Sequence, residues 1–215
     1  DLADPKPQAD LLAPLRGDWL TRPRLTVGLM ACLALTCAAF YPILRGTDGM
    51  YDTYGRLLGA DFAPFWAAGK AALAGDAARP YRLDWFLSFL KEVFGPDSGK
   101  FAWNYPPMLF FLVTPLALLP YGAALALWLG TAYAALVAVV RGMLGPAARH
   151  PLFWLAVIAF PGIYGNGVQG QSAFLVAALI GGALLLLERR PVLSGLLLAL
   201  LAFKPQFGIL VPLAL

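Results

Sequence analysis

Long apolar runs separated by short charged connections dominate the chain. Residues 25–44 and 121–140 are uninterrupted enough to cross a bilayer, whose hydrocarbon core takes about 20 apolar residues as a helix. Residues 152–164, 172–187 and 192–215 predict three further spans, the first of them tilted or broken at Pro161-Gly162. Residues 107–119 are apolar but short, and Pro106, Pro107, Pro115 and Pro120 interrupt them. They predict a re-entrant or interfacial hairpin that does not cross.

Residues 45–106 break this rhythm. They carry seven basic and seven acidic residues, so this stretch is a loop outside the hydrocarbon. Within it, Asp61 reads as the N-cap of a helix running to about residue 74, with Pro64 in its first turn and Gly75 at its stop. Phe62, Phe65, Trp66, Gly69 and Leu73 share one face of that helix. Asp84 likewise opens a helix over residues 85–94, where Trp85, Phe86, Phe89, Leu90, Val93 and Phe94 form a stripe. Short aromatic amphipathic helices beside a membrane lie in the interface plane, and both are expected there.

Composition agrees with the pattern. The chain is 60% hydrophobic and 13% charged, with a mean hydropathy of +0.71. A soluble chain carries roughly 25% charged residues. The fold class is therefore an all-α polytopic membrane protein. Arg16, Arg22 and Arg24 precede the first run, which puts residues 1–24 in the cytoplasm as a tail and the loop 45–106 outside. With 107–119 not crossing, Arg141, Arg149, Arg189 and Arg190 then also fall on the cytoplasmic side. The first run is too long for the apolar part of a signal peptide. The last is expected to belong to a helix that the sequence cuts at Leu215, with further helices beyond.

The net charge of +4 includes no basic run, which argues against nucleic acid. Cys32 and Cys37 sit in the first run, His150 stands alone, and no carboxylate pair has chelating spacing. No metal site or cofactor is indicated.

A few polar residues stand where they are costly. Lys204 lies twelve residues beyond Val192, roughly 18 Å into a core about 30 Å thick. A lysine there costs about 2.5–3.5 kcal/mol on insertion scales, which favours a cavity or a partner over snorkelling. Pro205 and Gln206 follow it, and backbone groups freed by a proline are tolerated where they line a cavity. Asn166, Gln169 and Gln171, among Gly165, Gly167 and Gly170, read as a tight polar turn between two spans, on the same outer side as Asp61. Trp103-Asn104-Tyr105-Pro106 closes the loop. It is equally an interfacial aromatic belt or a sugar-stacking surface.

Three stretches in this order resemble glycosyltransferase family 87, the polyprenyl-phosphate-mannose-dependent mannosyltransferases of bacterial membranes. They are Gly59-Ala-Asp-Phe-Ala-Pro-Phe-Trp-Ala-Ala-Gly-Lys through Gly75-Asp76 to Tyr81, Trp103-Asn-Tyr-Pro-Pro through Pro115-Leu116 to Leu119-Pro120, and Gly170-Gln171 through Gly195 to Lys204-Pro205. The resemblance implies the N-terminal part of a GT-C-like transmembrane helix bundle with an extracytoplasmic active site. Asp61 matches the acidic residue of the first outer loop proposed as general base, and Gln171 and Lys204 match recurrent positions. It further implies an inverting hexosyltransferase that moves a sugar, mannose, from a polyprenyl-phosphate donor to a lipid or glycan hydroxyl. Lys204, Gln171, Asn166, Trp66, Trp103 and Tyr105 are the candidate substrate-binding residues, with membrane lipids around them. A lipid-linked-sugar transporter is the rival reading. It would pass a polar headgroup along the same lysine and glutamine, and the long structured outer loop argues against it.

Overall fold

The computed structural model describes residues 19–45, 50–96 and 98–208. Most of the N-terminal tail and the end of the last expected span lie outside them. Among the described residues, 74% are helical and none lies in a strand. The first helix, α1 (Arg22–Arg45), turns most of its surface outward, as a lipid-facing helix does. Helix α5 (Tyr121–Leu144) has 24 residues, about 36 Å of rise. Helices α6 (Pro151–Ala159) and α7 (Gly162–Gln169) are broken at Phe160-Pro161, and together make the third segment long and apolar enough to cross a membrane. Helices α8 (Ala173–Leu186) and α9 (Pro191–Leu200) form a shorter antiparallel hairpin. Ser194 Oγ on α9 donates to the Ala183 carbonyl on α8 at 2.8 Å.

The helices share a polarity. Gly142 of α5 sits against Leu185 of α8, and Gly181 of α8 against Val139 of α5, so these two run parallel. Phe40, near the end of α1, meets Tyr164 of α7 edge-on at 5.3 Å. Arg22, Arg24, Arg141, Arg149, Arg189 and Arg190 therefore gather at one end of the bundle. The segment 50–106 and the α7–α8 turn occupy the other.

The 50–106 segment departs from expectation. Helix α2 (Ala63–Leu73) is enclosed by the fold rather than half-exposed along a polar face. Ala63, Pro64, Phe65, Ala67, Ala68, Gly69 and Ala71 are all buried, on every side of it, and only its end at Leu73 is exposed. The cause is its run of small residues, which lets α4 (Phe110–Leu116) approach closely. A Cβ on Gly69 would stand 2.6 Å from the Val113 carbonyl oxygen. Helix α3 (Leu83–Phe94) is amphipathic as expected, burying Phe86, Leu90 and Phe94 in the same aromatic core. It starts two residues before Trp85, so Asp84 lies in its first turn rather than at its cap.

Three polar positions also move. The N-cap of α2 is Phe62, and Asp61 makes no capping hydrogen bond. Asn166 and Gln169 belong to α7, so the turn is reduced to Gly170, Gln171 and Ser172. The last run is not one continuous span: α9 passes into a 3-10 turn over Leu201–Phe203, breaks at Lys204, and restarts as the short α10 (Pro205–Gly208). Pro205 has no N–H with which to continue the helix.

This polarity predicts that Lys100→Cys and Arg149→Cys, each without Cys32 and Cys37, react with an impermeant thiol reagent from opposite sides of the membrane. Labelling of both from one side would contradict it.

Candidate active site

The site forms where the 50–106 segment is strapped onto the end of α7. A helix end leaves carbonyls unpaired. The Gly59 N–H donates to Val168 O and the Asp61 N–H to Gln169 O, each at 2.8 Å. From the other side the Tyr121 hydroxyl, at the start of α5, meets the Leu58 and Gly59 carbonyls at 2.6 and 2.9 Å. With its backbone held in this way, Asp61 has a carboxylate with no hydrogen bond or ion pair among the described residues.

Gly170 makes the contact possible. Its φ of +69° is a left-handed conformation, and a Cβ there would lie 2.7 Å from Gly59 Cα and 2.8 Å from Phe62 Cβ. The Gln171 N–H returns to the Asn166 carbonyl at 3.1 Å, closing α7 in a Schellman-type turn. The Asn166 amide then donates to the Gln171 carbonyl at 3.0 Å. This turn aims Gln171 and Ser172 at the strap.

Together these elements enclose a pocket of ≈ 190 Å³ whose lining includes Asp61, Phe65, Phe101, Tyr105, Gln171, Ser172 and Lys204. Lys204 reaches it because buried Leu201 and Phe203 anchor the 3-10 turn just before it. The ring of Tyr105 packs edge-on against Phe65 at 4.9 Å. Burial raises the Tyr105 phenol above its usual pKa, and the Asp61 carboxylate raises it further. The same carboxylate acts electrostatically on Lys204, yet the two make no ion pair. A carboxylate and an ammonium thus face one cavity without neutralising each other in direct contact.

Four of the seven residues singled out from the sequence, Asp61, Tyr105, Gln171 and Lys204, line this pocket. The other three do not. Asn166 is buried behind the turn it braces. Trp103 is 3% exposed, sandwiched behind Phe65 and Tyr105. Trp66 ties α2 to the α4–α5 connection through Nε1 to Leu119 O at 3.0 Å, with Lys70 over its ring. Phe65, Phe101 and Ser172 line the pocket without having been singled out. Ser172 reads in sequence as an ordinary residue at the start of an apolar helix.

Beside this pocket lies an apolar groove of ≈ 280 Å³ lined by Met108, Leu112, Leu175, Leu179, Leu200 and Phe203. It begins one residue from Lys204 and one helical turn from Ser172, and Met108, Leu112 and Leu200 open it to the outside.

The family model of glycosyltransferase family 87 matches residues 103–215. No curated protein matches the chain, and no solved structure does. The matched region contains Tyr105, Gln171, Ser172 and Lys204, while Asp61 lies outside it.

Gly170→Ala is expected to cost about 1–3 kcal/mol from backbone strain and the clash with Gly59. Gly165→Ala, in open space on α7, should be neutral or stabilising. Thermal unfolding in detergent compares them, and equal midpoints would mean that the strap does not need the glycine.

Proposed function

The chain belongs to glycosyltransferase family 87, and from this we propose that it transfers a hexose, mannose, from a polyprenyl-phosphate sugar to a lipid or glycan hydroxyl at the outer face of a bacterial cell membrane. Membership makes it a membrane glycosyltransferase with a sugar donor and an acceptor as substrates, and decides for transfer over transport. The observation that carries the finer reading is the convergence of Asp61, from outside the matched region, with Gln171 and Lys204 from within it on one pocket.

In this reading Asp61 takes the proton of the acceptor hydroxyl. The hydroxyl oxygen attacks the anomeric carbon from the face opposite the phosphate, and the new glycosidic bond forms as the anomeric C–O bond to phosphate breaks. The phosphate leaves with the bonding pair, and the sugar configuration inverts. Lys204 offsets the charge that grows on the departing phosphate. Gln171 and Tyr105 offer hydrogen bonds to the sugar. The pocket is smaller than the roughly 300–1,000 Å³ of sites for drug-sized ligands, which suits a single sugar headgroup. The adjoining groove suits a polyprenyl chain, since it is apolar, opens toward lipid and starts beside Lys204.

The six arginines at the far end of the bundle support a cytoplasmic N-terminus and an outer pocket. Helix α8 has 14 residues, about 21 Å, so the pocket would lie about 10 Å below the outer edge of a 30 Å core. A phosphate joined to a membrane-embedded chain would meet Lys204 at that depth.

Two substitutions test the roles. Asp61→Asn should lower transfer by about 10²–10⁴-fold, the usual contribution of a general base. Its thermal midpoint should hold, because the carboxylate has no partner to lose. Transfer at the wild-type rate by this variant would rule out Asp61 as the base. Lys204→Gln should weaken donor affinity by roughly one to two decades, as expected for a charge-assisted contact, with the acceptor Michaelis constant unchanged. Lys204→Arg should recover part of it. Donor titrations read the difference, and an unchanged dissociation constant for Lys204→Gln would remove the lysine from the phosphate.

A further inference from the structure

Helix α8 starts at the pocket, and its start is left open. Ser172 occupies the N-cap position, but its side chain makes no capping bond. The N–H groups of Ala173, Phe174 and Leu175 have no acceptor among the described residues. These orphan donors, with the helix dipole behind them, form a positive end. That alone describes many helices. The second observation is Ser172 itself: the residue is 2% exposed, it lines the pocket, and its Oγ is buried with no hydrogen-bond partner among the described residues. A buried hydroxyl without a partner is uncommon in a folded protein and marks a place where an acceptor is missing. Lys204, also without an ion pair among the described residues, lines the same pocket.

We propose that Ser172 Oγ, the first-turn N–H groups of α8 and Lys204 together form a cradle for the phosphate of the polyprenyl-phosphate donor, with Ser172 as a direct ligand. This rests on the transfer reading above and extends it to a residue and a helix end. Helix N-termini bind phosphate by this geometry. Its use is in the reaction. When the anomeric C–O bond breaks, the phosphate passes from a singly charged diester to a monoester carrying up to two charges. Fixed donors and a cation gain in interaction as that charge grows. The groove lined by Leu175 and Phe203 starts at the same point, so the phosphate is held where its lipid chain enters. Asp61 stays available for the acceptor proton.

The test uses the full-length protein in nanodiscs and polyprenyl phosphate without a sugar as the probe. Ser172→Ala and Ser172→Gly both remove the hydroxyl, and neither loses a capping bond, so their thermal midpoints should match wild type. Their dissociation constants for polyprenyl phosphate should rise by about tenfold, in line with a hydrogen bond to a charged group. The Michaelis constant for the acceptor should not move. Unchanged affinity in both variants, with transfer intact, would overturn the cradle and leave the transfer reading standing. A wild-type protein that binds no polyprenyl phosphate would overturn both. Equal competition by phosphatidic acid or inorganic phosphate would overturn the assignment to the donor, since the site would then take phosphate from any source.

Discussion

The contact between Gly170 and Gly59 is the constraint on which the rest of the site depends. Two backbones meet there at a distance that excludes any side chain. One belongs to the end of a bundle helix and the other to the outer segment. The hydrogen bonds from Gly59 and Asp61 to the last carbonyls of α7 follow from that approach. So does the placement of Asp61, whose backbone is held while its carboxylate stays unpaired. Had the carboxylate capped α2, it would have been committed to N–H groups of that helix. The strap satisfies the backbone by another route and leaves the side chain without a hydrogen bond among the described residues.

A second constraint comes from the bilayer. Helices α8 and α9 are shorter than α5, and Phe174 at the start of α8 packs on Tyr133, about halfway along α5, so their shared pocket end lies within its length. Backbone irregularity at such a depth is tolerated where it lines a cavity. The break at Lys204, the turn at Gly170 and the start of α8 all occur at this level, around one pocket. Burial of α2 beside α4 brings Phe65 and Tyr105 to one wall of that pocket.

The spans were legible because lipid leaves long apolar runs no other use; 25–44 and 121–140 need only length and composition. Helix α2 was misread for a physical reason. Its large residues make a stripe, but Ala63, Ala67, Ala68 and Ala71 bury just as completely by close helix contact, and an amphipathic pattern does not report that. Asp61 resembled a cap because Pro64 sits where a first turn would hold it. The partners that draw its backbone to α7 are more than a hundred residues away. The glycines around Asn166 suggested a turn, although only Gly170 needs a left-handed backbone there. Of the candidates chosen for a polar group, Asp61, Gln171 and Lys204 line the pocket and Asn166 braces the turn behind it; of those chosen as aromatics, Tyr105 lines it. Trp66 and Trp103 pack in the core, since an indole beside a membrane serves packing as readily as sugar.

One pocket brings a carboxylate and an ammonium together, and an apolar groove begins at the residue before the lysine. Family membership makes the chain a glycosyltransferase; the donor decides whether this pocket is read correctly. The most direct measurement is single-turnover transfer by the full-length protein in sealed proteoliposomes, with labelled polyprenyl-phosphate mannose as donor. The predicted result is a new glycosidic bond of inverted anomeric configuration, formed at the face that carries the 50–106 segment. Transfer from a soluble nucleotide sugar but not from the lipid-linked one would contradict it, as would passage of the labelled lipid across the bilayer with no new bond.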